Sequence, residues 1–350
     1  MFPDPPAGVI QGVTVVYGGM ILRFGSTSGD LLDDVDIASS SIPTAPWTRI
    51  SGLNPSGMPS RFSARIQVFG NILYRFGGCD AGLGAACHND LWAIDLQDAV
   101  TKGFQNQAPV GWFNVIADNQ PGMPAPRRSF SMHTYSHSIY IFGGSNNNGG
   151  QQPTYLSDVW QFKPGNPLKT GPGGVSPANF VQLSPTGGEA ANGNAIPIGR
   201  ASAATGMFAD LLHVFGGVGA AGQLTDFWVL NVETQTWYQI GQTSPWPMPA
   251  PATGMAATFL NGRNFYVFLN NGNQNQLWNW AFVPTGAPSN NVVNNGTSTA
   301  AYAGIVFSVL FGLVNLAIAV ILLRRSGGIR GASAESVGNV YNQLDGQLQL

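Results

Sequence analysis

RFSARIQVFGNILYRFGG (61–78), RRSFSMHTYSHSIYIFGG (127–144) and RASAATGMFADLLHVFGG (200–217) align without a gap. Each opens on arginine, alternates apolar and polar residues up to a tight turn, continues as a second apolar segment and stops at Gly-Gly. Alternation with a period of two marks half-buried strands, so each stretch reads as a hairpin. Self-similarity of this kind signals a repeat architecture. Two weaker copies flank the three. VTVVYGGMILRFGS (13–26) keeps the pattern with Ser26 in place of the second glycine. ATFLNGRNFYVFLN (257–270) keeps the hairpin, with an Asn261-Gly262 turn, but loses both glycines.

Downstream of each Gly-Gly come a polar loop and then Asp-apolar-Trp: Asp90-Leu91-Trp92, Asp158-Val159-Trp160 and Asp226-Phe227-Trp228, spaced 68 residues apart. The first unit has Asp34-Val35 without the tryptophan, and the fifth has Gln276-Leu277-Trp278 without the aspartate. A further aromatic, Trp47, Trp112, Phe180 or Trp237, closes most units. Each unit is therefore four short strands, the content of one propeller blade.

These glycine pairs and downstream tryptophans resemble the kelch repeat, over about residues 9–284. The resemblance implies an all-β, kelch-type β-propeller of four-stranded blades, of the type found centrally in galactose oxidase-like proteins. Five units are visible, and residues 1–285 are read as the propeller. Unit five reaches its third strand and then enters a Pro/Ser/Asn stretch. A ring abolishes its edges only by closing, and residues 1–12, with three prolines, make a poor closing strand. An N-terminally incomplete propeller is expected, with the closing strand and a signal peptide upstream.

Composition agrees with an all-β chain and excludes two classes. Charged residues are 9% of 350, with 15 Lys and Arg against 17 Asp and Glu, and there are 46 Gly and 24 Pro. A net charge of −2 supplies no basic field to displace phosphate counterions, so no nucleic-acid partner is expected. A 44% hydrophobic fraction excludes a disordered polyelectrolyte.

The C-terminal part has a different character. No Asp, Glu, Lys, Arg or His occurs from Asn264 to Leu323, and AAYAGIVFSVLFGLVNLAIAVILL occupies 300–323. As a helix it would be roughly 36 Å long, enough to cross a ~30 Å hydrocarbon core. Arg324, Arg325 and Arg330 follow at once, while the preceding flank is uncharged. Basic residues beside a span stay cytoplasmic. The expected order is an extracytoplasmic propeller, a stalk over 286–299, a single transmembrane helix over 300–323 and a cytoplasmic tail over 324–350. The membrane would be the plasma membrane or an endomembrane. MFPDPPAGVIQG at the start is no signal peptide, which leaves a cytosolic, C-terminally anchored scaffold as a rival.

Smaller motifs fit the membrane reading. Gly304, Ser308 and Gly312 share one helix face, a spacing that lets two spans approach closely as a homodimer. Asn295-Gly296-Thr297 is a glycosylation sequon close to the span. Tyr341 to Leu344 resembles a Tyr-x-x-apolar endocytic sorting signal. Cys79 and Cys87, the only cysteines, sit in one loop. They are read as a disulfide in preference to free thiols or a metal site, which fits an oxidising compartment.

Residues able to carry chemistry are few. His133 and His137 are four apart, but the repeat register puts His137 in a hairpin turn, so no metal site is assigned. No phosphate loop and no Gly-x-Ser-x-Gly elbow occurs, and no cofactor is expected. Some kelch-like propellers are copper-radical oxidases, which need a Tyr cross-linked to Cys, a second Tyr and two His. A membrane-tethered oxidase of sugars or alcohols is thus a second rival to the leading reading. That leading reading is a non-enzymatic recognition or adhesion module for an extracellular protein or glycan. Its ligand would meet the long Gly/Pro-rich loops after second strands and before first strands. Arg61, Arg127, Arg128 and Arg200 recur just beneath that face. They form either an anion-greeting ring or, as the favoured reading, pairs with aspartates such as Asp90, Asp158 and Asp226.

Overall fold

The computed structural model describes residues 13–25, 34–39, 47–50, 53, 57–80, 85–105, 111–146, 152–168, 174–188, 196–240, 254–260, 264–270 and 275–281. All lie in the first of two units, 1–296 and 297–350. The predicted span at 300–323 lies outside the described residues, as do its tail, Asn295, Gly304, Ser308, Gly312, Tyr341 and Leu344. Among the described residues no helix is long and apolar enough to cross a membrane.

Four antiparallel sheets follow the sequence repeat, each of four strands in chain order. The first holds Val13–Tyr17, Met20–Gly25, Asp34–Ser39 and Thr48–Ile50. The second holds Arg65–Phe69, Ile72–Phe76, Leu91–Asp95 and Phe113–Ile116. The third holds Ser131–Tyr135, Ser138–Phe142, Val159–Phe162 and Phe180–Leu183. The fourth holds Ala204–Phe208, Leu211–Gly219, Gly222–Asn231 and Thr236–Ile240, with Thr186–Gly187 added in parallel at its outer edge. A fifth sheet holds Gly254–Leu260, Asn264–Asn270 and Asn275–Ala281, three strands, as the fifth repeat unit predicts. The first strand of each sheet lies beside the first strand of the next, which is the arrangement of propeller blades around an axis. One feature is not predicted: a helix, Leu96–Phe104, continues from the third strand of blade two and carries an Asp98–Lys102 pair at i,i+4.

The hairpins close as the sequence suggests. Two residues separate the paired positions Tyr17–Met20, Phe69–Ile72, Tyr135–Ser138 and Phe208–Leu211. Two-residue loops of this kind need positive φ, and Gly18, Gly70, Ser136 and Ala209 all have it.

The core is a series of layers between blades. Leu73, Trp92 and Ile94 of blade two meet Leu22 and Ile37 of blade one. Tyr74, Phe76 and Leu91, on the opposite face of the same strands, meet Met132, Ile141 and Phe162 of blade three. Tyr140 and Phe142 meet Val214, Trp228 and Trp237 of blade four. Phe215, Phe227 and Val229 meet Phe265 and Val267 of blade five. Because both faces of the middle strands are covered, their apolar runs are nearly continuous. Of the predicted closing aromatics, Trp112, Phe180 and Trp237 are buried.

The Gly-Gly pairs end the second strands of blades two and three, and in blade four the pair shifts the register within the strand, where two backbones crowd together. Gly143 and Gly144 have φ of +66° and +100°. A Cβ on Gly144 would stand 2.8 Å from the Arg128 carbonyl oxygen and from the Phe130 Cβ. Gly122 also has positive φ, +82°, but nothing within 4 Å of a built Cβ. Gly122→Ala should therefore cost about 1 kcal/mol, the left-handed penalty alone. Gly144→Ala should cost about 1–3 kcal/mol more, because packed backbone must shift. Urea denaturation of the two variants measures the difference.

Candidate functional site: the loop face and its arginine anchors

Loops after the second strands and connections into the first strands emerge together. Arg127 N–H donates to the His88 carbonyl at 3.1 Å, and Arg200 N–H to the Leu156 carbonyl at 3.0 Å. Beneath these loops the repeated arginines take two different arrangements.

In blade three Arg127 is fully buried. Its Nη1 and Nη2 donate to Asp158 Oδ1 and Oδ2 at 2.8 and 2.7 Å, a bidentate pair. Nη1 also donates to the Gly143 carbonyl and Nε to the Ala125 carbonyl. Asp158 Oδ2 accepts the Trp160 indole N–H at 2.7 Å. Blade four repeats the set: Arg200 grips Asp226 at 2.6 and 2.8 Å and donates to the Gly216 and Ile198 carbonyls, and Trp228 donates to Asp226. Burial alone raises the Asp158 and Asp226 carboxyls, but the arginine and indole hydrogen bonds overcome it and hold both below the ordinary carboxylate range. These two arginines also join blades. The Arg127 carbonyl accepts from Gly78 N–H of blade two at 2.9 Å, and the Arg200 carbonyl from Gly144 N–H of blade three at 2.8 Å.

Blade two departs from this pattern. Arg61 turns to Asp80, Nη1 to Oδ1 at 2.8 Å, and not to Asp90. Asp90 keeps its tryptophan, with Trp92 Nε1 donating to Oδ2 at 2.8 Å. Its buried Oδ1 has no hydrogen-bond partner among the described residues. Asp80 Oδ2 faces His88 Nε2 at 3.1 Å, and His88 Nδ1 faces Asp118 Oδ2 at 2.7 Å. Asp118 also accepts the Asn89 backbone N–H. Burial raises the Asp118 carboxyl, yet that bond and His88 bring it below its ordinary range. Cys79 and Cys87 are joined in this loop. Blade five has a neutral version: Trp278 Nε1 donates to Gln276 Oε1 at 3.1 Å.

The sequence-predicted arginines thus part company. Arg127 and Arg200 are consumed inside the blades, and Arg61 is tied to an aspartate of its own blade, Asp80 in place of Asp90. Arg128 is half-buried, and its guanidinium has no hydrogen bond or ion pair among the described residues; its backbone bridges Ser145. A serine series was missed. Ser63, Ser129 and Ser202 occupy equivalent positions, all with φ between +54° and +56°. Ser202 N–H donates to the Ser129 carbonyl and Ser129 N–H to the Ser63 carbonyl, a backbone chain linking three blades. Its signal was the Arg-x-Ser recurring in all three complete repeats.

The histidines stay apart. His133 Nε2 meets Thr205 Oγ1 of the next blade at 2.9 Å, while His137 lies in the exposed turn beside Ser136. His213 is buried against Phe259 and Phe265. Burial pushes His133 and His213 down to about 4, with Arg65 adding to the effect at His133. No group of three or more His, Cys, Asp or Glu able to hold a metal occurs among the described residues. With Cys79 and Cys87 bonded to each other, neither sulfur is left for the Tyr–Cys cross-link of a copper-radical oxidase, so the galactose oxidase-like subtype expected above is not supported.

Residues 112–283 match the KLHDC2/KLHL20/DRC7 Kelch-repeats domain. Tip elongation aberrant protein 3 of Schizosaccharomyces pombe (strain 972 / ATCC 24843) is 24% identical over 196 residues, 52% of this chain and 16% of that protein's length. The solved structure of YjhT superposes with a TM-score of 0.53 at 12% identity, covering 76% of this chain and 73% of that one; at that identity it speaks for the fold alone. Residues 112–283 carry kelch repeats on a kelch-type β-propeller.

Arg127→Met should strand the largely buried Asp158 charge, 19% exposed, and cost about 3 kcal/mol; Arg61→Met, on a pair whose Asp80 is 47% exposed, should cost clearly less. Chemical denaturation compares them. His133 and His213 fix a pH dependence. Unfolded imidazole takes up its proton near ~6.5, folded His133 and His213 only near about 4. Their stabilising contribution is therefore full above ~6.5 and is lost as pH falls towards 4. Urea midpoints measured from pH 7 to 4.5 should decline, and His133→Asn combined with His213→Phe should flatten the decline.

Proposed function

We propose that this chain is a membrane-anchored recognition module whose kelch propeller presents its loop face to an extracellular protein. The observation that carries the reading is the internal use of the repeat's charges. Arg127 and Arg200 are neutralised by Asp158 and Asp226 within their own blades, so the blade framework is complete without a ligand. Selectivity then falls to the loops, which differ from blade to blade: a bonded Cys79–Cys87 hairpin, a short Ser145–Asn146/Thr154–Tyr155 hairpin and a long Gly217–Leu224 extension. Ile196 and Ile198 add exposed apolar surface just ahead of Arg200. Binding residues concentrate on such loops over a rigid scaffold. Arg128 is the repeat arginine left to meet a partner's acid. A glycan would meet the same surface.

Anchoring rests on the sequence: the uncharged stretch 300–323 followed by Arg324 and Arg325. In this reading Gly304, Ser308 and Gly312 mediate a homodimer, Asn295 is an acceptor for glycan, and Tyr341 to Leu344 directs internalisation. The Cys79–Cys87 bond supports an oxidising compartment.

Protease protection on sealed cells, with epitope tags at both ends, tests the arrangement. Cleavage of the propeller from outside with the tail protected is the expected result. Protection of both would overturn the outward display and leave a cytosolic anchored scaffold.

A further inference from the structure

We propose that Arg61 is a two-position side chain, and that the Cys79–Cys87 disulfide decides which carboxylate it holds. Three repeats place the same arginine on the same backbone. Phe62 bridges Cys79 as Arg128 bridges Ser145 and Ala201 bridges Val218, so Arg61 starts from the position of Arg127 and Arg200. Those two reach inward to the aspartate before the tryptophan. Arg61 reaches outward to Asp80, although its own aspartate is present: Asp90 is 4% exposed and already bound to Trp92.

Both ends of the inward arrangement are left incomplete. Asp90 Oδ1 and Arg61 Nε are buried with no hydrogen-bond partner among the described residues. His88 and Asp118 extend the outward chain from Asp80, and Arg75, across the ladder from Trp92, has interactions of its own. A buried carboxylate oxygen without a donor costs free energy, so something must hold Arg61 outward. The disulfide is placed to do so. Asp80 follows Cys79 directly, His88 follows Cys87 directly, and Asp80 N–H is held by the Ala86 carbonyl at 3.0 Å. The bond therefore holds Asp80 and His88 together within reach of Arg61.

Reduction by a dithiol such as dithiothreitol breaks the S–S bond. Each protein sulfur becomes a thiol, and the dithiol, having given up two electrons and two protons, closes to its own disulfide. Asp80 is then released, and Arg61 turns inward to form with Asp90 the bidentate pair seen in blades three and four. Asp80 becomes free at the loop face while His88 keeps Asp118, so the charge offered to a partner changes with redox state while the blade persists. This holds whichever partner the face binds.

Double-mutant cycles on the full chain read the switch as non-additive shifts of the urea midpoint. In the oxidised protein Arg61→Met and Asp80→Asn should be coupled, and Arg61→Met and Asp90→Asn additive. After reduction, or in Cys79→Ser/Cys87→Ser, the Asp80 coupling should vanish and the Asp90 coupling appear. Additivity of Arg61 and Asp90 in both redox states, or their coupling already in the oxidised protein, overturns the proposal. Should the reduced chain fail to fold, Asp80→Asn in the oxidised chain releases Arg61 by the second route. Coupling to Asp90 must then emerge in that background, and its absence overturns the proposal equally.

Discussion

A buried arginine that grips its own blade with its guanidinium and the previous blade with its carbonyl sets the geometry of this propeller. Arg127 closes on Asp158 and Gly143 of blade three, where Asp158 also takes the Trp160 indole N–H, while its carbonyl takes the Gly78 N–H of blade two. Arg200 does the same one blade on. An ion pair out of water repays its desolvation only when geometry is good and the remaining donors are satisfied. Here the guanidinium also finds two backbone carbonyls, and the carboxylate finds an indole. The crowded glycines follow from this contact: a Cβ on Gly77 or Gly143 would stand 2.8 Å from the Arg127 or Arg200 carbonyl oxygen of the next blade.

Hydrophobic layers supply the bulk of the cohesion around these pins. Each layer is shared by two neighbouring blades, so a blade buries its faces only by having neighbours, as in other repeat proteins. The polar links run the same way. The serine chain from Ser63 to Ser202 crosses two blade boundaries, and the Arg65 bond to the Phe130 carbonyl and the Thr134 bond to the Val68 carbonyl each cross one. Three serines at positive φ are a backbone cost that this chain of N–H to carbonyl bonds offsets.

Such a scaffold separates stability from recognition. In blades three and four the repeated charges face inward, and the loops carry the differences between blades. Blade five keeps the tryptophan but replaces the aspartate with Gln276, and the corresponding arginine position is Ala252. Loss of the cation together with the anion leaves a neutral hydrogen bond and avoids an unpaired buried charge.

The sequence by itself determined the repeat, the hairpins and their turns, the buried tryptophans and the three-stranded fifth unit. These depend on period-two alternation and on turn residues, which are local properties of the chain. It also narrowed the arginines to partners among the aspartates. The helix at Leu96–Phe104 was not legible because it replaces loop in one repeat only. The choice of Asp80 over Asp90 by Arg61, the His88 bridge to Asp118 and the serine chain were decided by the tertiary structure alone. Each joins residues brought together by loop closure or by neighbouring blades. A side chain's partner within hydrogen-bond distance depends on which of several nearby carboxylates the folded backbone holds in reach, and residue spacing along the chain carries no record of that.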